Sequence, residues 1–263
     1  MPSKLSPSWP LAIAAIDAVG ERILQFLRET PMPGLRILPP STLAQYHTLL
    51  PLASSSSRVE IVFLLLDGTK HQSSAQAAQF SKQLRAKGIA CLCIALLPSH
   101  LIRVGLSSSA LWQLRLYAAA TALCADEPAA LASWLQQEIS GILLIQRQAG
   151  PEDSIKILAE LLQNPGLVVW VSQSRQGQER AETLVRRLLT PAPFQGGEAQ
   201  FKGRPLVWVQ IHRPAWKLGF IASLSQHLSA YFSKETVRPR YLSCLRDRTP
   251  DAWRVSLLCV RKD

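Results

Sequence analysis

The hydrophobic positions of this chain alternate between two patterns: short unbroken apolar runs, and longer stretches with apolar residues three and four apart. Leu11–Ile16 and Ile89–Leu97 are unbroken runs, and Val59–Leu66 is interrupted only by Glu60; all three are of the kind expected for strands buried on both faces. Val19–Glu29 and Ala75–Lys87 carry helical spacing between them. Leu35–Leu38 predicts a short strand closed by Pro39-Pro40, Ser108–Leu123 a helix, and Glu127–Ile139 a helix running into Ile142–Ile145. Parallel strands must be joined by crossovers, so this alternation predicts a mostly parallel sheet with helices on both faces.

The pattern changes in the second half. Leu167–Val171 predicts a strand, and Gln178–Leu189 an amphipathic helix ended by the prolines at Pro191 and Pro193. Leu206–Ile211 predicts a strand and Lys217–Phe232 a helix, followed by strands at Arg238–Leu245 and Trp253–Val260. The fold class expected is α/β: a reduced Rossmann-like parallel-sheet domain over residues 1–140, and an α+β domain with a mixed sheet over 141–263. The change falls near Ser140–Asp153. No repeat of fixed period occurs, and Ser54–Ser57 is the one low-complexity tract.

Composition narrows the class. Of 263 residues, 48% are hydrophobic and 18% charged, which is the balance of a globular chain with a large core. No apolar run approaches the roughly 18 residues of a membrane span. The N-terminal ten residues lack a continuous apolar signal region, so a cytoplasmic location is expected. The net charge of +11 invites an acidic partner, but the basic residues are dispersed, with Arg186-Arg187 and the Lys234–Arg248 stretch the densest. A solvated surface poor in acids explains this better than nucleic-acid binding; an anionic membrane surface stays open as a partner. Of five cysteines, Cys91 and Cys93 alternate along one strand with a single residue between them. That spacing is not C-x-x-C, and ordinary buried thiols are the favoured reading.

The candidate chemistry centres on the junction after the Val59–Leu66 strand, Asp67-Gly-Thr-Lys-His-Gln-Ser-Ser74. A strand-to-helix junction of this kind holds phosphate when glycines let backbone N–H groups and a helix N-terminus approach it. Here Gly68 stands alone among side chains. Lys70 lies outside any G-x-x-x-x-G-K-[ST] frame and is read as a surface lysine. The five histidines show no metal spacing, and no G-x-S-x-G elbow marks a hydrolase serine. Trp112, Trp134, Trp170 and Trp208 fall in expected core elements; Trp9, Trp216 and Trp253 lie nearer element ends and could mark a contact surface.

The order of elements and several short motifs resemble the bacterial tubulin-like division protein FtsZ and its family. Gly177-Gln-Glu-Arg-Ala181, the helix after it and Thr190-Pro-Ala-Pro-Phe194 are similar to the family's G-E-x-R-A, helix and S-P-L-L segment. Pro205–Ile211, Leu218–Tyr231 and Trp253–Val260 occupy its subsequent strand, helix and closing strand. Leu11–Leu27 looks like the opening strand and helix, and Val59–Leu97 like the central strand, phosphate loop, helix and strand. The resemblance covers nearly the whole chain.

It implies a GTP-binding first domain whose nucleotide is hydrolysed with acids from a neighbouring subunit's second domain. The sequence departs from each working part. The family's G-x-G-G-x-G turn is here Ala14-Ala-Ile-Asp-Ala-Val-Gly20, with Gly20 alone. Its G-G-G-T-G-[ST]-G loop is reduced to the Gly68-Thr69 pair, and the interval between Leu38 and Val59 is short. The acidic loop N-x-D-x-A-D corresponds to Gln148–Ile157, where Glu152 and Asp153 precede a helix; helix capping is favoured there over catalysis, and an interface role is the alternative.

The expectation is therefore a catalytically inactive FtsZ-like protein with no cofactor and no metal. It would act by contact with FtsZ, with another FtsZ-like subunit or with itself, in cell division, filament assembly or membrane remodelling. The alternatives are a divergent nucleotide-binding protein or weak GTPase using Thr69, Lys70 and Ser73–Ser74, and a basic-surface protein that binds DNA or membrane.

Overall fold

The computed structural model of the protein describes residues 11–38, 59–97, 120–124, 127–149, 153–163, 166–175, 178–190, 201–212, 218–232, 240–244 and 252–261. Their elements run β1 (Leu11–Ala15), α1 (Ala18–Arg28), β2 (Leu35–Ile37), β3 (Ile61–Asp67), α2 (His71–Ala86), β4 (Ala90–Leu96) and β5 (Ala120–Cys124). There follow α3 (Pro128–Ala149), α4 (Asp153–Leu162), β6 (Gly166–Ser174), α5 (Ala181–Leu189), β7 (Phe201–His212), α6 (Leu218–Tyr231), β8 (Arg240–Cys244) and β9 (Ala252–Arg261).

The strands form one nine-stranded sheet in the order β2-β1-β3-β4-β5-β6-β9-β7-β8. From β2 to β6 every pairing is parallel. β9 runs antiparallel to both β6 and β7, while β8 is parallel to β7. The expected parallel first half and mixed second half are both present. They join through the short β5–β6 register Ala120↔Gly166 to Ala122↔Val168. The expected boundary at 140/141 falls inside α3.

Alternation along the buried strands divides the core between two faces. Ile61, Phe63 and Leu65 of β3 pack with α1, α3 and α4, whereas Val62, Leu64 and Leu66 pack with α2. Cys91 and Cys93 share one face, as their spacing predicts, and it is the α2 side. In the second half, α5 and α6 cover Val169, Val207, Val209, Val255, Leu257 and Cys259. Each of the fully buried Phe63, Leu64 and Leu65 side chains contributes about 1.5–3 kcal/mol by leaving water, which explains why strands with no polar face are stable here. α2 ends in a Schellman turn: Ile89 N–H donates to Leu84 O (3.0 Å) and Gly88 N–H to Arg85 O (2.9 Å). Gly88 supplies the left-handed residue at φ 72°.

One expectation changes, and the structure adds two features. Ala120–Leu123, expected to end a helix, is strand β5; 101–119 lie outside the described residues. Alanine favours helix, but a slot between β4 and β6 decides the matter, because both neighbours supply ladder partners. The run Ile142–Ile145 continues α3 without a break, with Ile139, Ile142 and Leu143 buried on its inner face. Finally, the last two strands, consecutive in sequence, are not neighbours. β9 inserts between β6 and β7, where both of its edges are paired, and β8 lies beyond β7.

Candidate functional site

The strand order reverses at β1. The chain passes from β1 to β2 on one side and returns to β3 on the other, so the C-terminal ends of β1 and β3 flank a topological switch point. In open α/β sheets the crevice outside such a point is where ligands bind. The residues just past those two strand ends are Ile16-Asp17-Ala18 and Gly68-Thr69-Lys70.

Asp17 controls the first junction. Its backbone is extended (φ −147°, ψ −176°) and it is the N-cap of α1. Oδ1 accepts hydrogen bonds from the N–H groups of Val19 and Gly20, both at 3.0 Å. Oδ2 reaches across to accept from the N–H of Asp67 at 2.8 Å. One carboxylate thus takes two amides of a helix N-terminus and one amide at the end of β3. These are the donors, and this is the dipole end, that an anionic ligand would use. Ile16 N–H donates to Leu65 O at 2.9 Å, which draws the junction onto β3.

Gly20 is required by packing. A Cβ at Gly20 would lie 2.4 Å from Leu65 O and 3.1 Å from Ala15 Cβ, so α1 approaches β3 by way of a missing side chain. Gly68 follows the same logic one strand over. Its N–H donates to Leu96 O at 2.8 Å, and a Cβ would meet Leu96 O at 2.9 Å and Leu97 Cδ2 at 2.9 Å. Both glycines expected as remnants of a phosphate loop are pressed against strand backbone.

Thr69 turns inward on Asp67. Its N–H (3.0 Å) and Oγ1–H (2.6 Å) both donate to Asp67 Oδ1. Lys70 Nζ lies 3.4 Å from Asp67 Oδ2, and its side chain is 56% exposed, as expected of a surface lysine. Burial raises the Asp67 pKa, but the Thr69 hydroxyl, the Thr69 amide and Lys70 together outweigh it and hold the group below its ordinary value. Ser73 and Ser74 are buried in the first turn of α2, and Ser74 Oγ has no hydrogen-bond partner among the described residues.

Of the residues read from the sequence, Gly20, Gly68 and Thr69 thus gather along one crest. Asp153 begins α4, and Glu152 lies outside the described residues. Asp17 carries more of the crest than any of them, and its signal was an aspartate immediately before a helix start. A second concavity, of about 300 Å3, lies between α5 and α6 and is lined by Arg175, Glu179, Arg180, Phe220, Ser223 and His227. The Arg175 guanidinium stacks 4.4 Å from the Phe220 ring centroid. No group of three or more His, Cys, Asp and Glu able to hold a metal occurs among the described residues. None of the described helices is long and apolar enough to cross a membrane.

A parallel sheet with a crest at its switch point, extended by a mixed sheet over two further helices, defines an open, doubly wound α/β type of fold. Solved structures make the type specific: it is the tubulin/FtsZ fold. FtsZ from M. jannaschii, as its W319Y mutant, superposes with a TM-score of 0.61 at 11% identity over 96% of this chain and 91% of that one. CetZ2 from Haloferax volcanii, in a GTPγS-bound protofilament, gives 0.63 at 11% identity over 95% and 92%. TubZ from Bacillus thuringiensis serovar israelensis, in GDP-form protofilaments, gives 0.63 at 10% identity over 97% and 89%. No protein-family model and no curated protein matches the chain in sequence.

Proposed function

We propose that this protein is a tubulin/FtsZ-type scaffold that works without nucleotide. It acts in the cytoplasm through contact with an FtsZ-like subunit, either a second copy of itself or a true FtsZ, and so influences filament assembly in cell division or membrane remodelling. The observation that carries this reading is the crest closed by its own acids: Asp17 takes the α1 and β3 amides, and Asp67 takes Thr69. A nucleotide phosphate would have to displace a carboxylate from the same donors and sit beside its charge. A scaffold kept under those conditions serves best through its surfaces. The filament forms of the CetZ2 and TubZ structures with the same fold support contact between subunits as the mode of action.

The test has two arms. Calorimetric titration with GTP, GDP and ATP is expected to give no binding heat, and micromolar affinity for any of them would sink the reading. Co-sedimentation is expected to bring the protein down with FtsZ polymers, or to show it pelleting alone as a self-assembled filament. A protein that stays in the supernatant under both conditions rules out the proposed contacts.

A second reading is favoured by the start of α2, where the N-cap Lys70 provides no side-chain cap and Ser74 Oγ is buried without a partner among the described residues. Weak phosphate binding at that helix start would appear in the same titration.

A further inference from the structure

We propose that the concavity between α5 and α6 binds a small-molecule oxyanion, a carboxylate or a phosphate group, through the side chains of Arg175 and Arg180. Its volume, about 300 Å3, is at the small end of the range of ligand pockets. The site lies in the second half of the chain, away from the crest, and does not depend on the function proposed above. Its wall carries two acids, Glu179 and Glu182, and two arginines, Arg175 and Arg180. Both acids are answered by arginines that do not line the wall. Arg187 places Nε and Nη2 each 2.8 Å from the Glu179 carboxylate oxygens, and Arg186 Nη2 lies 2.9 Å from Glu182 Oε1. Neither Arg175 nor Arg180 pairs with an acid among the described residues. The wall therefore presents two cations whose counter-charge must come from outside.

Arg175 is the better organised of the two. Its Nε donates to Glu179 O at 2.9 Å, and its guanidinium lies 4.4 Å from the Phe220 ring centroid. One edge of the planar group is thus tied to backbone and one face rests on an aromatic ring. Its two Nη groups have no acceptor among the described residues. A guanidinium fork held in this way gives up little rotamer freedom when it takes an oxyanion. On α6, Phe220, Ser223 and His227 are spaced three and four residues apart, so they share one helix face. That face brings a hydroxyl and an imidazole to the same wall as the two arginines. A cavity of this size with convergent donors and a pre-placed charge suits a small anion.

The test titrates the full chain with inorganic phosphate and with acetate, at fixed pH and with ionic strength held constant by chloride. The ring C–H signals of His227, assigned through His227→Gln, are followed by proton NMR. Phosphate, acetate or both should move them along a saturable curve in the millimolar range, and acetamide, the neutral counterpart of acetate, should not. Saturation by phosphate alone assigns a phosphate ligand, and by acetate alone a carboxylate. Arg175→Met and Arg180→Met should each weaken binding by about tenfold or more. Lys82→Met removes one charge from an exposed position on α2 and should change it by less than about twofold. Because Arg180 is exposed, its variant keeps the test valid if Arg175→Met disturbs the fold. His227 signals that stay still, shifts that never saturate, or an equal loss in Lys82→Met and Arg175→Met would overturn the proposal. So would a glutamate hexapeptide that moves the same signals at far lower concentration than either anion and loses that effect in Arg175→Met, since the site would then belong to an acidic protein partner.

Discussion

Arg254 on β9 closes on Glu138 of α3 across 116 residues of sequence, with Nη2 2.7 Å and Nε 3.0 Å from Glu138 Oε1. Glu138 has no exposed surface. Its other oxygen accepts from Trp170 Nε1 at 3.4 Å, and Ser172 Oγ accepts from both Arg254 Nη2 (2.7 Å) and Trp134 Nε1 (3.1 Å). The two indoles meet edge to face at 4.8 Å between centroids. The network pins the long helix α3 to the neighbouring strands β6 and β9. Breaking a buried pair on one side strands a charge, at a cost of about 3–5 kcal/mol. Arg254→Met should therefore lower the urea midpoint sharply. The double variant Glu138→Leu/Arg254→Met should return near wild type, because a well-packed apolar pair carries no desolvation cost. If the double variant is as unstable as the single, the ion pair is not the source of the loss.

Two of the helical glycines, Gly20 and Gly219, should respond with opposite sign. Gly-to-Ala in a helix ordinarily gains up to about 1 kcal/mol by restricting the unfolded chain. Gly219, in α6, has nothing among the described residues beyond its own turn within 4 Å of where a methyl group would stand and should show that gain. Gly20→Ala would place Cβ 2.4 Å from Leu65 O, against backbone that cannot rotate away, and should lose about 1–3 kcal/mol as α1 lifts off β3. Equal shifts in melting temperature for the two variants would remove the close α1–β3 approach as the reason for glycine at position 20.

The strands were legible because burial on both faces leaves them no polar positions, as in Ile61–Leu66. The helices were legible where one face is wet, as in Ala181–Leu189. Ala120–Cys124 was not, since short alanine-rich sequence suits either element and the decision lies with β4 and β6 on either side. The place of β9 could not be read locally, because register with β6 and β7 is settled by pairing across the sheet. At the crest, the missing glycines were visible in sequence, but their consequence was not. Only the folded chain shows that Asp17 reaches the Asp67 amide, and that Gly20 and Gly68 serve strand packing. The Glu138–Arg254 pair had no sequence signal at all: a lone glutamate on a helix is usually solvated.

Three of the cysteines, Cys91, Cys93 and Cys259, should behave as inert core residues. Cys91, Cys93 and Cys259 have no exposed surface. The Cys91 thiol and burial together push the Cys93 thiol up, and burial pushes the Cys259 thiol up. The thiolate is the reactive form, so both effects suppress alkylation. Iodoacetamide labelling followed by peptide mass spectrometry should find these sites blocked in native protein by at least about 10³-fold relative to protein in urea, since they open only on global unfolding. Rapid native labelling at Cys91 or Cys93 would mean that α2 does not stay closed over β3 and β4.

Asp67 supplies a pH test of the second junction. Its folded pKa lies below the ordinary 3.8. A depressed carboxylate contributes stability that is fully present above the unfolded value and is lost as pH falls through the folded one. The stability difference between wild type and Asp67→Asn should accordingly be constant near neutrality and shrink below about pH 4. The ranking of causes adds a second, independent check. Thr69 donates two hydrogen bonds, whereas Lys70 is a half-exposed ion-pair partner at 3.4 Å, worth about 0–1 kcal/mol at most. Thr69→Val removes the 2.6 Å hydroxyl bond and keeps the amide one, and it should still raise the Asp67 pKa more than Lys70→Met does, in a titration followed by carboxyl carbon NMR. A larger shift from Lys70→Met would mean that long-range charge, and not the inward-turned threonine, holds this carboxylate ionised.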